Sequence, residues 1–490
     1  MMNEFKNGKC DVVSSDDIGR YVVAAKPLKQ GDLLLCEQPV IIGLNWGSGV
    51  RCLSCYKDFS KLCDKCQLAP LCCDCEHETF ECDFLATASL PKNFLIDNFD
   101  VVTALRFIML SRDPSKKQIY EEVIRMESHC ADRRGTPIWI MHENCVTKPL
   151  KLANVIVEED AAMIQKYCGI MDVNAFEVRS ESFEVRGVVV IVPIRGLYPK
   201  AALLSHDCVG NTFISLDETR SLRIYSSVDL DAGKTIYNNY TFALVLSGTE
   251  VRRQHLKEGK YFHCKCIRCM DPTELQTNLS SLNCKRCEKG LIAYQEMSEN
   301  WQCNVCKTSQ TTQEINGILT AATSRMLEIT TIENLEQTIG IQSKLLNPNH
   351  YLVIDMKQRL ASILRNICDQ ALVPQPKLLR RKIELCEDII PIIRVLQPGI
   401  ARLKAIVLFE YFNSIAELTI LEMNDQKLSI SEGIAKLASA EQLATESIKM
   451  LLYEPKSTPE GHLAKIAMLK LKSIRENISM FRNMLDDGRA

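Results

Sequence analysis

The spacing of the cysteines constrains this chain more than any other feature. Cys52-x-x-Cys55, Cys63-x-x-Cys66 and Cys72-x-x-Cys75 are followed at once by His77 and Cys82. Further on come Cys264-x-Cys266-x-x-Cys269, then Cys284-x-x-Cys287 and Cys303-x-x-Cys306. The start, Met1-Met2-Asn3-Glu4-Phe5-Lys6, lacks an apolar signal-like run, and no stretch reaches the ~18 apolar residues of a membrane span. A cytoplasmic or nuclear protein is therefore expected, and in that reducing setting clustered cysteines read as metal ligands rather than disulfides.

Eight ligands between Cys52 and Cys82 suffice for two tetrahedral zinc ions in a segment too short to bury its own core. The four cysteines from Cys284 to Cys306, with Gly290 and Trp301 between the pairs, have the spacing of a zinc ribbon. Cys264, Cys266 and Cys269 are one ligand short of four, and Cys208 is the obvious donor; the alternative is a plain zinc turn with Cys208 a buried free thiol. With Cys208 counted, 15 of the 23 cysteines are clustered. The other eight (Cys10, Cys36, Cys73, Cys130, Cys145, Cys168, Cys368 and Cys386) are expected to be buried small hydrophobes.

At 490 residues the length allows about three domains at ~150 residues each. A net charge of -2 leaves no electrostatic footprint for nucleic acid, so partners are expected to be proteins. Gly19–Ala25 and Gly31–Leu35 read as strands joined by a turn at Lys29-Gln30-Gly31, and the apolar run Val188–Val192 as a buried strand. From Leu90 to Cys168 the periodicity turns helical, in Phe94–Ile96, Val101–Leu110 and Ala153–Val157. Asp271-Pro272-Thr273-Glu274 is a turn. Beyond Thr311 amphipathic runs at Leu352–Ile367, Leu378–Val395, Ala401–Leu421, Leu428–Tyr453 and Leu463–Met484 are bounded by Pro374, Pro398, Pro455 and Pro459.

Between these lies Gly196-Leu197-Tyr198-Pro199, then Ser205-His206-Asp207-Cys208-Val209-Gly210-Asn211, then Gly233, Ile236, Tyr240 and Phe262 ahead of the three-cysteine cluster. This stretch resembles the catalytic half of the SET and MYND-domain (SMYD) protein-lysine methyltransferases, and Asp207 and the ribbon resemble the arthropod-type, SmydA-like branch. The chain departs from the family pattern at Ser205 for asparagine, Asp207 for serine, Gly210 for proline, and at Tyr21, where the family has the second glycine of Gly-x-Gly.

The resemblance implies an α+β protein. A SET β-fold with its pseudoknot (residues 5–50 and 171–243) would be split by a MYND zinc finger (52–82) and a helical insert (90–170). A zinc-bound post-SET region (244–270), a zinc ribbon (284–306) and an all-helical, TPR-like domain (311–490) would follow. In the finger the ligands would interleave, Cys52, Cys55, Cys72 and Cys75 against Cys63, Cys66, His77 and Cys82, with Cys73 a possible substitute for a neighbour.

It further implies methyl transfer from S-adenosyl-L-methionine to a protein lysine, with about four structural Zn2+ taking no part. Tyr240 would be catalytic. Gly19, Arg20, Tyr21, Ser205, His206 and Phe262 would meet the cofactor, and Phe176, in Asn174-Ala175-Phe176-Glu177-Val178, would wall the lysine channel; read alone, Phe176 is a core aromatic. The amine must be neutral to attack, which from a pKa of ~10.4 costs about 4 kcal/mol at ambient pH. The expected chain is a monomer, histone- or otherwise protein-directed, with a peptide partner at the MYND finger. The alternative is a silent SET scaffold acting as an adaptor in transcriptional repression, because Tyr21 and Ser205 stand in the cofactor pocket.

Overall fold

The computed structural model describes residues 5, 8–16, 19–178, 183–185, 188–190, 193–296, 298–327, 329 and 331–486. The fold is mixed, with short β-sheets in the first two thirds and helices alone after Thr312. Cys10–Ser15 and Gly19–Ala24 form a hairpin. In a three-stranded sheet Ile194–Leu197 lies between Ile41–Leu44 and Phe176–Val178. In another, Leu222–Ser226 lies between Thr212–Leu216 and Leu33–Glu37. Along Leu222–Ser226 buried and outward residues alternate, as a strand with one face on a core requires. That core gathers Val22 of the hairpin, Leu34, Leu35, Ile194 and Ile224 of the sheets, and Ile236.

The chain then threads. Ser205–His206 pairs in parallel with Tyr237–Asn238, and Asn211 holds the crossing by accepting from the Tyr237 N–H at 2.7 Å and donating to the Thr235 carbonyl at 2.9 Å. A Cβ at Gly210 would lie 3.0 Å from the Asn239 nitrogen, so the crossing leaves little room for a side chain there.

The finger is fastened to the sheets by Arg106, from the Val101–Arg112 helix. Its guanidinium forks onto Glu81 at 2.8 and 3.0 Å and donates to the carbonyls of Ile42 and Leu53. The apolar run Ala153–Val157 is not a helix but a turn, with Asn154 at φ +55°. Periodicity alone misleads there because the preceding helix stops at Leu152. Val188–Val190 is a strand paired with Phe183–Val185; the expected burial of that run lies outside the described residues.

Among the described residues seven helices make the tail: Thr312–Leu327, Ile332–Leu346, Tyr351–Gln370, Pro376–Leu396, Arg402–Asn424, Ile430–Leu451 and Pro459–Asp486. Pro459 opens the last of these rather than bounding it, since proline suits the first helical turn. The ribbon packs Trp301 and Ile292 against the first three helices. The later helices close on Phe213 and Tyr225 of the Thr212–Leu216 and Leu222–Ser226 strands. At that junction Ile400 N–H donates to the Ser227 carbonyl, and a Cβ on Gly399 would sit 1.8 Å from the same oxygen. No described helix is long and apolar enough to cross a membrane.

Candidate functional site

Four sets of donors converge, each with its ligand atoms within 4.8 Å of one another: Cys52/Cys55/Cys72/Cys75, Cys63/Cys66/His77/Cys82, Cys208/Cys264/Cys266/Cys269 and Cys284/Cys287/Cys303/Cys306. Thiolate and imidazole sets of four, without a carboxylate, fit structural zinc and leave no open position for a metal-bound water. Cys73 is exposed and outside the sets. Of the eight cysteines expected as core, Cys10, Cys168, Cys368 and Cys386 are buried, Cys36 and Cys130 are half-buried, and Cys73 and Cys145 are exposed. Cys145 lies on a half-exposed helical turn of the insert and Cys73 beside ligand Cys72, where chain geometry rather than polarity sets exposure.

The Cys208 set is wrapped by arginines the motifs did not indicate. Arg252, fully buried, donates to the sulfurs of Cys208 and Cys269 at 3.4 Å, and Arg253 donates to the carbonyls of Cys264 and Cys269. Four thiolates around one divalent ion carry net negative charge, and such N–H···S contacts offset it. Glu274, itself buried, pairs with Arg252 at 2.7 Å and with Arg268 at 2.9 Å. Arg253 also reaches Glu296 at 2.8 Å, tying the ribbon to this region.

His206 connects the metal set to the tyrosine. Its Nε2 meets Cys208 Sγ at 3.4 Å and its Nδ1 accepts from the Tyr240 backbone N–H at 3.0 Å, so the proton sits on Nε2. The His206 ring lies 5.1 Å from that of Tyr240 and 5.8 Å from that of Phe262. The Tyr240 hydroxyl donates to the Leu204 carbonyl at 2.5 Å, and burial pushes its pKa up to about 12, so it stays protonated at neutral pH. Ser205 is one residue away on the same short strand. Gly19, at φ +75°, and Arg20 are exposed and Tyr21 is half-buried, on a strand whose Val22 carbonyl accepts from Ile236 just before Tyr237. Backbone pairing thus brings Tyr21 to the neighbourhood of Ser205; hydrogen bonds and ring contacts unite His206, Tyr240 and Phe262.

Tyr240 lines a cavity of about 640 Å³ together with Phe176 and the tail residues Ile400, Arg402 and Glu454. Phe176 stands edge-on to Tyr198, their centroids 5.8 Å apart, and a Cβ at Gly196 would collide with the Tyr198 ring at 2.7 Å. That contact explains why a glycine stands two residues before Tyr198. Lys260 also lines the cavity, and burial brings its pKa down to about 8 against the pull of Asp172, with Arg195 adding to the depression.

Known proteins are similar to this chain in sequence. The SET domain-containing protein SmydA-8 of Drosophila melanogaster is 26% identical over 317 residues, 60% of this chain and 64% of that protein. The chain is similar to proteins of the SMYD family, SmydA-8 among them. The Arabidopsis thaliana histone-lysine N-methyltransferase ASHR1 is 21% identical over 64% of this chain and 67% of its own. Histone-lysine N-methyltransferase SMYD3 of Mus musculus is 22% identical over 60% and 69%. The chain spans a little under two thirds of the length of the SmydA-8 isoforms it matches. No family model matches it. A solved SET domain of LSMT bound to lysine and AdoHcy aligns over 86% of this chain and 90% of its own at 12% identity, with a TM-score of 0.28.

Sequence reasoning missed Lys260, Asn211 and the Arg252–Glu274–Arg268 group. Lys260 follows Gly259 in a charged helix and carries no motif; only its buried position in the cleft distinguishes it.

Proposed function

We propose that this protein is a protein-lysine methyltransferase that uses S-adenosyl-L-methionine. The observation that carries the reading is a cleft lined together by the half-buried, protonated Tyr240, by Phe176 and by residues of the helical tail. When bound, the cofactor supplies a methyl group on a sulfonium. Its pocket would be formed by Ser205, His206 and Phe262, with the Gly19–Tyr21 turn alongside. The donor chemistry fits: a half-buried Phe262 ring offers a face for a planar base, and the Ser205 hydroxyl can both donate and accept.

The chain's own groups would act on the lysine. The Tyr240 hydroxyl donates its hydrogen bond to the Leu204 carbonyl, so its oxygen lone pairs would be left to accept from the amine and turn the nitrogen lone pair toward the methyl. Phe176 would restrict entry to a long, slender side chain. A dry cleft disfavours the ammonium and so supplies part of the cost of neutralising it. The tail would hold the substrate protein, and a nuclear or cytoplasmic setting suits a protein substrate of either histone or non-histone kind.

One observation favours the scaffold reading: a tyrosine, half-buried, occupies the strand where the cofactor must pass close to backbone. Calorimetry with S-adenosylmethionine decides. Binding together with methyl transfer to lysine peptides, lost in Tyr240→Phe, supports the enzyme. Absence of binding, persisting in Tyr21→Gly with Ser205→Asn, leaves a scaffold that works through its finger and tail.

A further inference from the structure

Lys260 ends the Thr249–Lys260 helix and places its amine inside the cleft. The Nζ lies 5.5 Å from the centroid of the Tyr240 ring and donates to the Val173 carbonyl, three residues before Phe176. No carboxylate pairs with it among the described residues; Asp172 and Arg195 act on it from further away, and Glu177 and Tyr240 line the same cavity. An ordinary surface lysine keeps its charge in water. This one neighbours the Tyr240 ring, which on the methyltransferase reading an incoming lysine would have to reach, and its four-carbon stem can swing the amine toward the Tyr240 hydroxyl.

We propose that Lys260 is this protein's own methyl acceptor, a modification site inside the cleft. The inference rests on the methyltransferase reading. The ammonium first loses a proton to water. The Nζ lone pair then attacks the methyl carbon of the sulfonium, a C–N bond forms as the S–CH3 bond breaks, and the bonding pair stays on sulfur as a thioether. The product is a methylammonium that carries the charge the sulfonium lost. The depressed pKa supports this, because near pH 8 about half of such amines are neutral. A second consequence follows from position: while Lys260 fills the channel, an external lysine must displace it.

The test uses the full-length, zinc-loaded protein with methyl-labelled S-adenosylmethionine and no other substrate, followed by peptide mapping. Label is expected at Lys260, at a rate per molecule independent of protein concentration, and falling to background in Tyr240→Phe and Lys260→Arg. A readout free of turnover is competitive acylation by acetic anhydride. Lys260 should react half-maximally near pH 8 and be shielded by S-adenosylhomocysteine. Calorimetry on the same samples separates the two ideas. Cofactor binding with labelled peptides but a bare Lys260 overturns the acceptor role and spares the enzyme. A bare Lys260 with faster peptide labelling in Lys260→Met makes it a plug instead. No cofactor binding at all removes both.

Discussion

The Tyr240 backbone N–H donates to Nδ1 of His206 at 3.0 Å while the other ring nitrogen of His206 meets Cys208 Sγ at 3.4 Å. A metal-set cysteine and the tyrosine of the cleft are therefore separated by one imidazole. Loss of the metal should move the tyrosine.

Metal analysis of freshly folded protein should find four zinc ions, one for each donor set. Cys208→Ser should remove one of them and weaken cofactor binding as well, because His206 loses its anchor. A Cys208→Ser protein that keeps four ions would refute the ligand assignment. Chelation should unfold the fingers before the tail, whose helices bury apolar faces without metal.

Glu274→Gln should destabilise the fold by about 3–5 kcal/mol, since Arg252 and Arg268 would stay buried with their shared carboxylate gone. Denaturant titration measures it. A loss under ~1 kcal/mol would mean the Cys208 set alone neutralises both arginines.

His142 is fully buried and accepts from Arg133 at 2.9 Å. Burial lowers its pKa to about 4, aided by Arg133 and Arg195 and opposed by Asp172. The folded state therefore prefers the neutral ring, and between its ordinary value near 6.5 and 4 the unfolded chain binds more protons. Its contribution is complete above pH 6.5 and falls by about 3 kcal/mol as pH drops to 4. Stability curves of the native protein and His142→Gln should converge over that window; parallel curves would refute the assignment.

Gly399→Ala should loosen the tail from the SET sheet, because its Cβ would stand 1.8 Å from the Ser227 carbonyl oxygen. Overpacking of this kind costs about 1–3 kcal/mol. Proteolysis between the Pro376–Leu396 and Arg402–Asn424 helices should accelerate, and the profile of bound proteins should change more than cofactor affinity.

Ser205→Asn should tighten S-adenosylmethionine binding by about 1 kcal/mol, roughly fivefold, the worth of one recovered hydrogen bond. Calorimetry that shows no gain in the native background, but a gain once Tyr21→Gly is added, would place the obstruction at Tyr21.

The four donor sets were legible because ligand spacing is local and zinc counts to four. The tail helices were legible for a similar reason, their apolar periods being long and bounded by proline, although two further helices before Leu352 and the Pro459 start were not resolved that way. Ala153–Val157 shows the limit: five residues of helical polarity cannot tell a helix from the turn that follows one.

Taken by itself, the sequence determined what lies within one turn of itself: thiolates a few residues apart, amphipathic stripes, the motif around His206. Only the tertiary structure decided that Lys260 shares a cleft with Tyr240 and Phe176, that Arg252 and Arg268 converge on Glu274, and that the tail roofs the cavity. The physical reason is that metal coordination selects ligands by geometry that short spacings can satisfy, whereas desolvation is the work of residues distant in the chain. Burial lowers the pKa of Lys260, and no stretch of sequence around position 260 contains the atoms that bury it.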